Sequence, residues 1–199
     1  MISQLRPAVV MIAFMTLLLG VCYPLAMTGL AQAVFPYQAN GSLIVREDGA
    51  IVGTPLMAQN FAGEAYFHPR PSAADYDAAS TTGSNLGPTS AALKERVSGD
   101  ATRLSQGAQG GAVPVDLVTT SGSGLDPHVS PAGAFFQAPR VAEARGLPVR
   151  EVRALVRAKV EGRTLGLFGE PRVNVLELNL ALDELAPLPG GGDPEVSSQ

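Results

Sequence analysis

Apolar side chains dominate residues 7–30, PAVVMIAFMTLLLGVCYPLAMTGL, and no charged residue falls between Arg6 and Arg46. Crossing about 30 Å of hydrocarbon takes about 20 mostly apolar residues, and residues 8–27 supply them. The interruptions are Thr16, Gly20, Cys22, Tyr23 and Pro24, none of them charged. The pattern predicts a transmembrane helix over 7–30. Pro24 frees a backbone carbonyl, so the helix is expected to kink or end at Tyr23-Pro24, close to the outer interface where Tyr is favoured. Beyond it, short apolar runs alternate with Gly, Pro and polar clusters. They predict one domain over 31–186 and an unstructured Gly/Pro/Ser tail over 187–199.

Within the domain, the runs at 43–46 and 50–53 flank Asp48-Gly49 and predict a β-hairpin. Residues 66–71 read as an extended piece stiffened by Pro69 and Pro71. Residues 72–88 form a long loop, a length that is usually functional or disordered. A helix is expected from Thr89, with Ala91, Ala92, Leu93, Val97, Ala101 and Leu104 inside. Lys94, Glu95, Arg96 and Arg103 face out, and glycines within 106–112 break it. The β-branched run at 113–120 predicts a core strand. Ser130-Pro131 opens a helix that contains Pro139 and stops at Gly146. A second helix, from Pro148, buries Val149, Val152, Val156 and Val160 and exposes Arg150, Arg153 and Arg157. Residues 162–169 are a turn-rich strand candidate. Residues 173–185 alternate at first, but their length and Leu, Glu and Ala content favour helix. The expected class is α+β: one N-terminal transmembrane helix followed by a single mixed α/β extracytoplasmic domain.

A cleaved signal peptide is the rival for the first segment, because Ala31-Gln32-Ala33 offers a cleavage site. The apolar stretch exceeds the roughly 7–15 residues of a signal core, which favours a retained anchor. Bulky Val21 before Cys22 argues against a lipoprotein. Arg6 and the terminal amine precede the span, and the next cation is Arg46. The positive-inside rule then puts residues 1–6 in the cytoplasm and the domain outside. The 199-residue chain carries a net charge of −4 and no Trp, which argues against a nucleic-acid partner. The single cysteine, Cys22, lies in the apolar segment, so the domain has neither thiol nor disulfide. The chain's 22 Gly and 16 Pro predict many turns.

Candidate chemistry is sparse. The loop at 121–128, SGSGLDPH, has small residues that allow close backbone approach, and it opens a helix. No GxxxxGK[ST] occurs, which excludes a P-loop. Residues 104–109, LSQGAQ, carry a faint similarity to a transporter-ATPase signature, and a tight turn explains them equally well. His68 and His128, with Asp126, Asp75 or Asp77, could hold a metal or run acid–base chemistry, but they lack ligand spacing. Ser121 or Ser123 with His128 as base lacks a G-x-S-x-G context. Arg140, Arg145, Arg150, Arg153, Arg157, Lys159 and Arg163 are half of the chain's 14 cations. They read as a solvated helix surface or as a face for an acidic partner or anionic headgroups.

The ordered motifs carry a resemblance. They are Phe35-Pro36 with Ala39, Gly41, Ser42 and Leu43; Gln59 with Phe61; and Tyr66-Phe67 with Pro69, Arg70, Pro71, Ser72 and Ala73. GSNLGP at 83–88, SGSGLDPH at 121–128, Gln137 with Arg140, Val141 and Ala142, and VNVLELN at 173–179 follow. Together they resemble the C subunit of the Kdp potassium-transporting P-type ATPase over nearly the whole chain. Thr54-Pro55, in place of a Gly-Ser-like pair, and an extended tail are the departures.

The resemblance implies a single-pass inner-membrane subunit that is not itself the hydrolase. It implies assembly with a channel-like potassium-binding subunit, a P-type ATPase catalytic subunit and a small membrane peptide. Potassium is then handled by the partner subunits, with no metal or cofactor held stably here. The family is described as a catalytic chaperone that raises the ATP affinity of the catalytic subunit through a transient ternary complex. That account implicates Gln137; Ser121, Ser123, Gly124, Asp126 and His128 are expected beside it as nucleotide or partner contacts. Ser84, Asn85, Gly87 and Pro88 are expected to form a partner-contact loop. The expected topology collides with direct ATP contact, because ATP is cytoplasmic. A domain seated over the extracytoplasmic mouth of the potassium path fits better, bracing it or shaping cation entry with residues 75–85. The helix itself would be an assembly surface at Ala13, Thr16 and Gly20. The alternative is a signal-anchored periplasmic enzyme or ligand-binding domain.

Overall fold

The computed structural model describes residues 4–46, 49–61, 63–107 and 111–188. Asp48 of the expected hairpin turn, residues 108–110 of the glycine-rich break and residues 189–199 of the tail lie outside them. The chain divides after Thr54 into two compact units, and each is described by itself.

The first unit is built on one helix, Leu5–Val34, 30 residues long with a mean hydropathy of 2.3 in its most apolar window. It comprises α1 (Leu5–Leu17), a π-helical turn (Leu18–Cys22) and α2 (Tyr23–Val34). Every residue from Leu5 to Leu30 is exposed. An apolar helix uncovered on all sides suits lipid rather than water. Pro24 neither ends nor breaks it, contrary to expectation. The Tyr23 N–H bonds Leu18 O, five residues back, and such a widened turn admits a ring and a missing donor. After Phe35, α3 (Pro36–Ala39) makes one helical turn. The Tyr37 hydroxyl then donates to Ser42 O at 2.9 Å. The predicted hairpin is present as β1 (Ile44–Val45) against β2 (Ile51–Gly53), antiparallel with a register shift. Thr54 donates its hydroxyl to Gly41 O at 2.8 Å.

The second unit combines α4 (Ala91–Gly107), a 3-10 turn (Val115–Leu117), β3 (His128–Val129) and α5 (Pro131–Arg145). It continues with α6 (Val149–Ala158), β4 (Val160–Glu161), β5 (Arg172–Asn174) and α7 (Val175–Leu185). The three strands form one antiparallel sheet in the order β3-β5-β4. Helix α5 starts as its sequence dictates: the Ser130 hydroxyl accepts from Gly133 N, and Gly146 closes it at φ 65°. It runs through Pro139 to Arg145. Ala134, Ala138, Val141 and Ala142 are buried on one side, as are Val152 and Val156 of α6. Small side chains at every fourth position let two helices approach closely. Val129, Val173, Leu178, Leu182 and Phe67 complete the core.

Five expectations are corrected. Residues 113–120 form no strand. Pro114 cannot donate to a ladder, Val115 is exposed while Leu117 and Val118 are both buried, and Asp116 Oδ2 accepts from Ser130 N at 2.7 Å. Residues 162–169 are a loop with one bridge, Thr164 to Phe168; the strand lies earlier, at Val160–Glu161. Residues 173–185 are both readings in succession. Strand β5 ends at Asn174, whose side chain accepts from Glu177 N and starts α7. On α4, Ala91 and Ala92 are exposed and Arg96 is half-buried, donating to Val118 O at 3.3 Å. Val149 of α6 is likewise exposed.

Candidate functional site

The segment at 66–71, read from its prolines as extended, bends at Tyr66 and Arg70 and pairs with no strand among the described residues. Amide side chains pair with it instead. Gln137 on α5 accepts from His68 N at 2.8 Å and donates to His68 O at 3.1 Å. Asn179 on α7 accepts from Phe67 N at 2.9 Å and donates to Phe67 O at 2.9 Å. Each amide satisfies both backbone groups of one residue, as a neighbouring strand would. The segment is thereby fixed across α5 and α7.

Two arginines of α5 reinforce this. Arg140 donates to Glu64 O, Tyr66 O and Gln137 Oε1 at 2.7, 2.9 and 3.0 Å. Arg145, with a fully buried side chain, pairs with Asp183 at 2.7 Å. It donates to Ala65 O and Ala186 O, both at 2.8 Å, and lies 4.7 Å from the centre of the Tyr66 ring. These two side chains therefore do not belong to an outward basic face. Arg163 pairs with Glu170, which leaves Arg150, Arg153 and Arg157 exposed and Lys159 half-buried, with Arg157 over Phe135.

A cleft of about 530 Å³ lies against the clamped segment, lined by Phe61, His68, Tyr76, Arg103, Phe136 and Gln137 among others. Its electrostatics are mixed. Burial, aided by Arg140, holds the His68 pKa below the ordinary value, and its Nε2 pairs with Gly63 O at 2.8 Å. Burial beside Asp75 pushes Tyr76 up to about 12, and its hydroxyl donates to Arg70 O. Asp75 and Tyr76 both sit at positive φ, 49° and 61°, a disfavoured conformation for such side chains. The Ser72 hydroxyl fixes the bend by accepting from Ala74 N and Tyr76 N.

The loop at 121–128 is held by bonds within it and to Ala58, Arg70, Pro71 and Val175. Ser121 accepts from Gly124 N, Ser123 accepts from Leu125 N, and the two hydroxyls are 3.1 Å apart. Asp126 accepts from His128 N and pairs with Arg70 at 3.0 Å. Burial would raise the Asp126 pKa, but the bonds from His128 and Arg70 hold it at about 2. The ring of His128 lies against Asp126, 3.7 Å from its carboxylate. Gly124, at φ 74°, has no room for a Cβ, which would lie 2.8 Å from Thr82 O. A Cβ on Gly83 would lie 3.0 Å from Gly122 O. The 72–88 and 121–128 loops thus pack backbone to backbone. Ser84 is half-buried there, while Asn85, Gly87 and Pro88 are exposed.

The structure therefore separates the predicted residues. Gln137 borders the cleft, with its amide spent on His68 and Arg140. Ser121, Ser123, Gly124, Asp126 and His128 form a separate loop brace, and Ser84 to Pro88 crown the neighbouring loop. No cluster of three metal-ligating side chains occurs among the described residues. Sequence reasoning placed Arg145 on the basic face, and missed Tyr76 and the structural part of Asn179. The signal for Asn179 was an amide on the apolar side of α7, between Leu178 and Leu182.

Comparison with known proteins gives this scaffold its relatives. A family model described as "KdpC: K+-transporting ATPase, c chain" matches residues 5–184. The chain is 58% identical over 200 residues to the "Potassium-transporting ATPase KdpC subunit" of Methylobacterium nodulans, covering 94% of this chain and 99% of the relative. The protein of the same name from Caulobacter vibrioides is 57% identical over 189 residues, covering 94% and 96%. That of Rhodopseudomonas palustris is 53% identical over 201 residues, covering 94% and 100%. The match runs from the apolar helix through the clamped segment to α7, and the chain belongs to the KdpC family, the c chain of the K+-transporting ATPase.

Proposed function

We propose that this chain is the non-hydrolysing accessory subunit of a potassium-transporting P-type ATPase. It is held by one membrane span with its N-terminus in the cytoplasm and its domain outside. There it braces the extracytoplasmic mouth of the channel-like potassium-binding subunit, beside the catalytic subunit and a small membrane peptide. The observation that carries this reading is the 30-residue uncovered apolar helix, with Arg6 at one end and no cation until Arg46. The charge bias favours that orientation.

Gln137 bears on the chaperone role that the family resemblance implies. The residue is only 5% exposed, and its bonds to His68 and Arg140 occupy both ends of the amide. A nucleotide contact there would have to break bonds within the core. This supports an effect on ATP affinity exerted through assembly rather than through a nucleotide contact at Gln137.

Orientation is tested with a cysteine at Ser84, in a Cys22→Ser background, labelled by an impermeant maleimide in sealed right-side-out and inverted vesicles. Labelling confined to right-side-out vesicles is expected. Labelling confined to inverted vesicles overturns the reading and restores direct ATP contact. Truncation after residue 42 should lower potassium affinity or complex yield, and unchanged transport would remove the bracing role.

A further inference from the structure

Strands β4 and β5 are joined by a loop whose tip is unlike the rest of the domain's surface. Leu165, Leu167 and Phe168 are 84%, 76% and 65% exposed. No charged residue lies between Arg163 and Glu170. Three large adjacent apolar side chains expose on the order of a few hundred Å², a size at which a patch is often a contact site.

The tip has a fixed shape. Leu165, Gly166 and Gly169 all sit at positive φ, and a leucine stays there only where its surroundings hold it. The tip also uses its own backbone donors. Thr164 N donates to Phe168 O at 2.9 Å, and Gly166 N donates to Arg163 O at 3.0 Å. Leu167 N and Phe168 N both donate to Thr164 O. Burying this tip would strand none of those donors. Below it, ion pairs Arg163–Glu170 at 2.8 Å and Arg172–Glu161 at 2.9 Å form a charge-neutral collar.

We propose that this tip is a docking knob. It inserts into an uncharged apolar recess on a membrane-embedded subunit of the same ATPase, on the side where this domain lies. The inference rests on the accessory-subunit reading. A preformed apolar anchor inside a polar rim is the arrangement of an interface hot spot, and pre-organisation lowers the ordering cost of association. A fluid bilayer needs no fixed shape, whereas positive φ at Leu165, Gly166 and Gly169 and the backbone bonds of the tip give it one.

The test uses the full chain co-expressed with the other subunits of its ATPase. A photoreactive phenylalanine at position 168 should cross-link to another subunit, identified by mass. The double variant Leu167→Asp with Phe168→Asp should lower the co-purified fraction at least tenfold. Val115→Asp, at another exposed apolar site, should leave that fraction unchanged. Both variants should keep the parent's thermal melting, since the altered side chains face solvent. Cross-linking to lipid or to a second copy of this chain, no cross-link, or undiminished assembly of the double variant overturns the docking role. Failure of the unaltered chain to co-purify brings down the subunit reading and the docking role together.

Discussion

The Asn179 amide bonds both backbone groups of Phe67, each at 2.9 Å, across 112 residues of sequence. Both residues are buried, so water cannot replace these bonds. Removing the amide leaves a backbone donor and acceptor unpaired, at about 1–3 kcal/mol each. Asn179→Leu should therefore lower unfolding stability by roughly 2–5 kcal/mol. Urea denaturation of the full chain in detergent would show the midpoint falling with the slope unchanged. A loss below about 1 kcal/mol would mean that the clamp is not a principal tie between α7 and the 66–71 segment.

Gln137 and His68 repeat the device from α5, which permits a test separating stability from nucleotide handling. Gln137→Glu keeps the acceptor for His68 N and for Arg140 but loses the donor to His68 O. Stability should fall by about 1–2 kcal/mol. The ATP concentration needed for half-maximal hydrolysis by the assembled complex should stay within about twofold. A rise of tenfold or more with assembly intact would make Gln137 a nucleotide contact after all.

Arg145 should be the most sensitive charge in the domain. Its side chain is fully buried, paired with Asp183 and bonded to two carbonyls. Truncation leaves the Asp183 carboxylate without its partner, and breaking a buried pair costs about 3–5 kcal/mol. Arg145→Met should therefore lose most of the folded population at 37 °C, as circular dichroism would show. Arg145→Lys should recover part of it, because an ammonium reaches Asp183 but lacks the planar fork for both carbonyls.

The features legible in the sequence were those set by local chemistry. The uncharged run before Arg46, the Ser130-Pro131 helix start, Gly146 and the Asp48-Gly49 hairpin signal all act over a few residues. The 113–120 segment misled because β-branched side chains state a preference that Pro114 and the Asp116–Ser130 bond override. Arg140 and Arg145 looked like part of a basic face because their spacing continues that of Arg150 and Arg153. Their inward bonds go to residues 64–66 and 183–186, which no local pattern reveals. Gln137 was visible as a motif position, but its pairing with His68 depends on how α5 meets the 66–71 segment.

Acid should weaken the domain in two stages. The folded-state pKa of His68 is held below 6.5, first by burial and then by Arg140. Folding therefore favours the neutral ring. The associated stability is full above pH 6.5 and declines as pH falls from there through the lower folded value. Asp126 acts further down, with its pKa held at about 2 against 3.8 unfolded. Its contribution is full above pH 3.8 and is lost as pH falls to about 2; a shift of this size corresponds to about 2 kcal/mol at most. The urea midpoint of the full chain should fall below pH 6.5, then fall again below pH 4. His68→Gln should flatten the first stage and leave the second. Arg70→Met should shrink the second stage, since it removes the Asp126 ion pair, and leave the first. A parent profile flat between pH 7 and 5 would show that His68 keeps its ordinary pKa despite its burial.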